Sequence, residues 1–594
     1  MAAPGGFLSG QAEAPSAGVV IPDQEEHSAS GSWKADLKGK MRSLKNALKS
    51  AGLGRTHSAQ SKDIPDPADV IVGPVIGKVT DCTARILIEL DKTAQVTLAL
   101  VDEISGILAG SKVLAVPPFQ PTIFTFQGLK PETSYSVQIR GCHCGITSGF
   151  KTIAQCANEV KFAVISCNKI FITRTEVKTG TGDLWHHLEK RIAKGQVDMM
   201  LHLGDQVYAD GDKAFDKAAA REHTSLSNKF AVAEDMLKGI PWEQWPQYYD
   251  RICAIYREIY RETWAHPPTA RCLATCPSIM IYDDHEVRDN WGDLPTDWDP
   301  ASLHMFVARC AWRVQLEYQR QLHEDVDFAH LERITRDFHF HVVGGVGLMF
   351  LDIRGSRTFH RRPNDPYKYL GSDQWTEIKS ALGRGGIFDG VRALLVCSPA
   401  PVVFLTGLVT DEFADHIARL EDFKGHWSHR DHRGEQLEFL TRLVEWKGRV
   451  AAGAGGRELY IFGGDVHCGG HSDILLGDQL VFRQLTSSAI ANHPLPTTAY
   501  TVLRLAGDTL EDLGENFSFH HHHWTRRRNY GLVSVVNQNQ GDPAAEVKIT
   551  TQLVDGHAVM THEGPIVSSC DEKVTDWNIL GRCIRSIKGK LVLR

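Results

Sequence analysis

The stretch Val197-Asp-Met-Met-Leu-His-Leu-Gly-Asp-Gln-Val-Tyr208 decides the fold. Its first seven residues form an apolar, strand-like run, and the run stops at Gly204 with Asp205 and Tyr208 directly behind it. An α/β sheet places its sites just past the carboxyl ends of its strands, which is where this carboxylate and phenol fall. The same design recurs on either side. Lys161 to Ser166 is strand-like and Asp183 to Lys194 reads as an amphipathic helix. Further strands are expected at Ser278–Tyr282, Val346–Leu351, Arg392–Val396 and Glu458–Phe462. From about residue 158 the chain therefore alternates strands and helices as an α/β fold requires.

Four of these strand ends carry polar residues that apolar packing would not demand: Ser166-Cys167-Asn168, Gly204-Asp205-Gln206-Val207-Tyr208, Tyr282-Asp283-Asp284-His285-Glu286 and Gly463-Gly464-Asp465-Val466-His467. Carboxylate, imidazole, thiolate and phenolate together make a ligand set for iron, manganese, zinc or calcium. Asp465 and His467 are two apart, so on a continuing strand they point to the same side. A single Asp after a glycine pair is ordinarily a turn residue. Four such motifs in one α/β region favour a metal centre, with a metal-free buried polar network as the alternative.

Outside this region, residues 69–153 alternate like short strands, as in Ala84, Ile86, Ile88 and Tyr135, Val137, Ile139, with Gly and Pro between them. They predict a β-sandwich of fibronectin III or immunoglobulin type. In such a fold the Tyr135 hydroxyl bonds back to the turn at Leu129–Glu132. The 594 residues are 42% hydrophobic and 23% charged, a balance that excludes a disordered or fibrous chain. The thirteen cysteines follow no disulfide spacing. With no signal-peptide pattern or membrane span in view, the expectation is a cytoplasmic protein.

The net charge of −7 is unevenly spread. Residues 34–55 hold seven Lys/Arg against Asp36, and residues 577–594 hold five Lys/Arg and no acid, so two basic ends flank an acidic body on which nucleic acid is not expected. Trp33, Leu37, Met41, Leu44 and Leu48 form one apolar stripe, and Trp577, Leu580, Ile584, Ile587 and Leu591 another. Such helices lie on an anionic membrane surface, dock on the body or bind a partner. The expected organisation is a tail with a basic helix (1–68, helix 33–52), a β-sandwich (69–155), an α/β catalytic domain (156–560) and a linker with a basic helix (561–594).

The order Ser166-Cys167, Gly204-Asp-Gln-Val-Tyr208, Asp283-Asp-His-Glu-Val287 with Asn290-Trp291, and Gly464-Asp-Val-His467 resembles the alkaline phosphatase D (PhoD-like) metallophosphatases. Leu351-Asp-Ile-Arg354 with Arg357, Leu370 to Trp375, Thr486 to Ile490 and Arg528 to Gly531 add to the match, which spans about residues 69–560. The resemblance implies a calcineurin-like metallophosphatase sandwich behind the small β-sandwich. It implies that Cys167, Asp205, Tyr208 and His467 surround ferric iron (Fe3+). Asp205 then bridges to a second site with Asp284 and Asp465, where calcium (Ca2+) or another divalent ion is expected. Metal-activated hydroxide would attack phosphorus in line. Arg354 or Arg357 would neutralise the phosphoryl oxygens, and His285 would hold one of them or protonate the leaving group. Asp289 departs from the family pattern and adds negative charge near the second site; Lys169 and the insertion from about Gly211 to Pro241 alter the pocket.

The expected function is thus metal-dependent phosphoester hydrolysis, phosphatase or phosphodiesterase, including lipid-linked phosphates if the ends hold a membrane. The alternative is a catalytically silent protein that binds phosphate ligands and associates peripherally with membrane. Signatures of zinc metalloproteases, phosphate-loop NTPases and serine hydrolases are missing. The run His520 to His523 before Arg526–Arg528 reads as a surface loop, a phosphate-facing segment or a metal tract.

Overall fold

The computed structural model describes residues 66–170, 183–211, 228–329, 336–358, 360–362, 364–404, 425–450, 455–495, 500, 511–537, 545–556, 559–561 and 564–566. The helices expected at 33–52 and 577–594 lie outside these residues. The chain divides into two units, Met1–Asp66 and Pro67–Arg594, and every strand and helix named below belongs to the second.

The first module is built from β1 (Val70–Val79), β2 (Thr83–Leu90), β3 (Ala94–Asp102), β4 (Leu108–Val116), β5 (Thr122–Gln127), β6 (Ser134–Arg140) and β7 (Ser148–Lys151). The strands pair antiparallel into two sheets, β1-β2-β5 and β4-β3-β6-β7. Alternate side chains, among them Ile86, Ile88, Leu98, Leu100, Phe124 and Phe126, fill the space between the sheets. The Tyr135 hydroxyl accepts a hydrogen bond from the Lys130 amide at 2.9 Å, which pins the turn before β6.

The core continues with β8 (Glu159–Ile165), α1 (Trp185–Ala193), β9 (Met199–Leu203), α2 (Lys229–Leu237), α3 (Tyr249–Trp264), α4 (Pro267–Thr275) and β10 (Ser278–Ile281). Next come α5 (Leu303–Tyr318), β11 (His339–Val343), β12 (Val346–Phe350), α6 (Gly371–Leu382), β13 (Ala393–Ser398), α7 (Arg433–Gly448) and β14 (Glu458–Gly463). Strands β15 (Gly469–Leu476), β16 (Gln479–Thr486), β17 (Glu511–Gly514), β18 (Phe517–Thr525), β19 (Asn529–Val536), β20 (Lys548–Asp555), β21 (Val559–Thr561) and β22 (Gly564–Ile566) complete it. One sheet runs β10-β9-β8-β19-β20-β21-β22, the other β11-β12-β13-β14-β16-β15-β18-β17.

The two sheets pack face to face. In β8, Phe162 and Val164 enter the layer between the sheets, whereas Ala163 and Ile165 point outward against Trp185, Leu188 and Ile252 of the helices. In β13, Leu395 and Cys397 point inward while Leu394 and Val396 meet Trp375 and Leu440 of α6 and α7. Both faces of these strands are buried, so their sequences are continuously apolar instead of alternating. The result is a mixed α/β core of two sheets with helices on both outer faces.

In each sheet the strands that bear site residues run parallel, β8 with β9 and β10, and β12 through β13 and β14 to β16. Their carboxyl ends therefore gather the motifs on one rim. The run His520 to His523 is no loop: it lies within β18, where His521 is buried between the Ser472 hydroxyl (2.7 Å) and the Phe404 carbonyl (2.8 Å). Its neighbour His522 meets Asp473 at 3.1 Å on the other face. Local polarity misleads here because the strand edge pairs with β15, a partner distant in sequence. Among the described residues no helix is long and apolar enough to cross a membrane.

The first module is locked to the core. Glu89 of β2, fully buried, accepts from Arg261 Nε at 2.8 Å and from the Tyr318 hydroxyl at 2.5 Å. Gly77 lies so close to the core that a Cβ there would meet the Leu322 carbonyl oxygen at 2.2 Å. Removing one partner of a buried ion pair strands the other, at about 3 kcal/mol or more. Glu89→Ala is accordingly expected to lower the urea midpoint of unfolding by that equivalent, whereas an unchanged midpoint would show that this seam does not depend on the carboxylate.

Candidate metal centre

Loops from both sheets converge over the rim. Cys167 follows β8, Asp205 and Tyr208 follow β9, Asp283, Asp284 and His285 follow β10, Arg354 and Arg357 follow β12, and Asp465 and His467 follow β14. The loops are stitched across the sheets by Ser166 Oγ donating to the Ser487 carbonyl and Ser487 Oγ donating to the Val164 carbonyl, each at 2.9 Å. Gly204, at φ +95°, lets the β9 loop touch the β10 loop, since a Cβ would stand 2.6 Å from Asp283 Cβ.

Two groups of donor atoms share one residue. Cys167, Asp205 and His467 each offer an atom within 4.8 Å of the others, and so do Asp205, Asp283, Asp284 and Asp465. Tyr208 joins the first group, its hydroxyl 2.9 Å from Asp205 Oδ2 and 3.4 Å from His467 Nε2. All six expected ligands thus meet, with Asp205 common to both groups and Asp283 an addition to the set expected from the motifs.

The electrostatics show what the cluster lacks. Burial lifts the Asp205 carboxyl well above its usual range against the pull of His285, and Asp284 and Asp283 add to the lift. Burial, with Asp283 and Asp284, does the same to Asp465. The Cys167 thiol and Tyr208 phenol are likewise pushed up, by burial first and by Asp205 next. Burial drives His467 down to about 3, so its ring is neutral. The buried oxygens Asp205 Oδ1 and Asp283 Oδ2 have no hydrogen-bond partner. Acceptors crowded in this way, with oxygens left over, fit multivalent cations. The thiolate, phenolate and imidazole suit a softer or trivalent ion, and the carboxylate group a hard divalent one.

Backbone conformation supports the same reading. Cys167 (φ 55°), Asp205 (54°), Asp465 (64°) and His467 (51°) all occupy the left-handed region, as does nearby Asn290 (55°). Each such residue costs of the order of 1–3 kcal/mol, and strain of this kind concentrates at functional sites.

The surrounding residues hold the donors in place. Glu286 accepts from the amides of Asp205 (3.2 Å), Gln206 (2.8 Å) and Asp283 (3.0 Å) and from Gln319 Nε2 (2.9 Å). Asn492 Nδ2 lies 2.8 Å from the Tyr208 hydroxyl and 2.9 Å from His467 Nε2, and His426 Nε2 is 3.2 Å from Asp465 Oδ2. His285 is anchored through Nδ1 by Asp210 (2.7 Å), and its ring lies against Tyr208 at 4.1 Å between centroids. Although burial opposes it, the charges of Asp210, Asp284 and Asp205 raise the His285 pKa well above the usual value.

Both arginines are held by carboxylates. Arg354 Nε donates to Asp283 Oδ1, and its Nη2 lies 3.3 Å from Asp284 Oδ1. Arg357 is fully buried, paired with Asp293 and donating to the Gly425 carbonyl at 2.6 Å. Its guanidinium thereby ties the Asp293 and Gly425 loops together.

Glu286, Asn492, His426 and Asp210 are absent from the set that sequence reasoning picks out, as is Ser488, whose hydroxyl lies 3.1 Å from Cys167 Sγ and accepts from the His467 amide at 2.9 Å. Glu286 sits inside a quoted motif and Asn492 two residues past another, so adjacency was an available signal for both. His426 offers no local pattern.

A two-sheet α/β protein with a buried, acidic donor cluster at its carboxyl-end rim belongs to the class that can hold metal. Residues 162–385 match the family described as PhoD-like phosphatase, the family that the motifs resemble. The solved structure of PhoD superposes with a TM-score of 0.56 at 13% identity, covering 86% of this chain and 95% of that one, a likeness of fold. An uncharacterized protein of Saccharomyces cerevisiae is 22% identical over 358 residues, 51% of this chain and 49% of that protein. The chain therefore spans about half the length of the curated relative it matches.

The Glu286 clasp is testable. Partners that orient metal ligands are typically worth about 10–100-fold in metal affinity. Glu286→Gln, which puts an amide N–H against backbone N–H groups, is expected to weaken metal retention by that factor on dialysis, measured by elemental analysis; full retention would remove the clasp role.

Proposed function

We propose that the chain is a metal-dependent phosphoester hydrolase. In this reading the two core sheets and their helices form a calcineurin-like metallophosphatase sandwich, and β1 to β7 form a fibronectin III-like module. The observation that carries the proposal is the sharing of Asp205 between two buried ligand groups of different chemistry. Cys167, Asp205, Tyr208 and His467 would hold one ion, assigned as ferric iron from the resemblance. Asp205, Asp284 and Asp465, with Asp283, would hold calcium or another divalent ion. Such ions, when bound, supply Lewis acidity toward a phosphoryl oxygen and make water nucleophilic at neutral pH.

The chain's own residues supply the rest. With Nδ1 fixed on Asp210 and Nε2 3.7 Å from Asp289 Oδ1, His285 stands beside Asp205 and Asp284, where it would hold a phosphoryl oxygen or give the leaving group its proton. Arg354 balances Asp283 and Asp284, which keeps both carboxylates ionised and oriented. Lys169, 5.3 Å from the Tyr208 ring centroid, brings a positive charge beside the first group, where an anionic substrate would approach. The proposed substrates are phosphodiesters, including lipid-linked phosphates. The ground for lipid is the pair of basic amphipathic ends, which would rest on an anionic membrane. The retained donor set speaks against the silent, phosphate-binding alternative.

The test is hydrolysis of an aryl phosphodiester by the full chain supplied with iron and calcium. Turnover is expected, with loss on chelation and in Asp205→Asn. His285→Gln is expected to retain the metals and lose about 100-fold or more in kcat. A folded, metal-loaded wild type without turnover would overturn the hydrolase reading. For the lipid arm, removing residues 1–60 and 570–594 should reduce hydrolysis of vesicle-borne diesters and spare the soluble one; equal effects on both would discard the targeting role.

A further inference from the structure

Away from the acidic centre, His323, His339 and His341 meet at the seam between the first module and the core. Each offers a ring nitrogen within 4.8 Å of the other two, and all three residues are buried. His339 and His341 are two apart on β11 and so share a face; His323 comes directly after the short turn Arg320–Leu322 behind α5. The ring centroids stand 4.0 Å (His323 to His339), 4.9 Å (His339 to His341) and 5.4 Å (His323 to His341) apart.

The remaining nitrogens are arranged as ligating imidazoles hold theirs. A metal-bound histidine typically gives its other ring N–H to a carbonyl or carboxylate. His339 Nε2 lies 3.0 Å from the Met280 carbonyl, which turns Nδ1 toward His341 Nε2 at 2.9 Å. His341 Nδ1 lies 3.3 Å from Lys78 Nζ on the outer side; burial lowers the Lys78 pKa, and the neutral amine accepts the Nδ1–H and leaves Nε2 as the free donor. Neither ring nitrogen of His323 has a hydrogen-bond partner, although the residue is only 4% exposed. A buried polar atom left without a partner is destabilising. Burial, foremost, keeps all three rings neutral, the form that binds metal. A cavity of about 180 Å³ opens beside His323, lined also by Lys78, Thr83, Arg85 and Gln127, with room for water as a fourth donor.

We propose that His323, His339 and His341 form a second, separate metal site, for a borderline divalent ion such as Zn2+, which ties the turn behind α5 to β11 beneath the first module. The donor class selects the ion. Calcium and magnesium require anionic or carbonyl oxygen, and the triad offers three neutral nitrogens. Arg320 is a positive charge that acts on all three rings, so binding depends on nitrogen donation and not on net negative potential. Three histidines with an open fourth position is an established zinc donor set.

The experiment uses the full chain already loaded with iron and calcium, crystallised and soaked in ZnCl2. Anomalous difference density at the zinc edge is expected between the three rings; intact rings with no peak overturn the site. In solution, competition with a chromophoric chelator should show one more zinc equivalent per chain in wild type than in His323→Gln or His339→Gln. Equal zinc in wild type and both variants, with circular dichroism showing all three folded, would equally overturn it.

Discussion

Everything at the rim depends on one buried carboxylate. Glu286 takes three backbone amides and one side-chain amide, and those donors belong to three separate pieces of chain: the loop after β9, the loop after β10 and the turn after α5. A carboxylate has about four lone-pair directions, and here each carries a donor. The groups so fastened stand next to Asp205, Asp283 and Asp284, whose mutual repulsion would otherwise spread them. Glu286 sets where the other carboxylates are without joining their ligand groups.

The same rim concentrates unfavourable backbone. Four of the six expected ligands sit at positive φ, and they do so at the ends of strands buried on both faces. Rigid strands anchor the loops on each side, so the strain cannot relax outward. The apolar layers of the core, at about 1.5–3 kcal/mol for each large side chain buried, offset this cost. That division of labour, stability in the sheets and strain in the loops, is common to sites built on α/β scaffolds.

Much of this was legible in the sequence where the signal is local. The strands expected at Ser278–Tyr282, Val346–Leu351 and Glu458–Phe462 begin at the observed residues and end within one of them, because buried strands advertise themselves as unbroken apolar runs bounded by polar turns. The six residues expected as ligands stood out because each comes just after such a run. What escaped depends on pairing between distant segments. Glu286 acts on amides 80 residues away, Asn492 reaches Tyr208 across 284, and β18 is a strand only because β15 lies beside it. Arg357 is a similar case, since its partner Asp293 lies 64 residues upstream. Side-chain chemistry is written in the sequence, but the partner that absorbs it is not.

Asp205 belongs to both donor groups, so if each group holds an ion, as proposed, occupancy of the two positions becomes a matter of thermodynamic linkage. An ion on one side would withdraw charge from the shared carboxylate and weaken its hold on a second, while the loop order imposed by the first would favour the second. Whichever effect is larger, the coupling is reciprocal: the factor by which one ion alters the affinity for the other is the same in both directions.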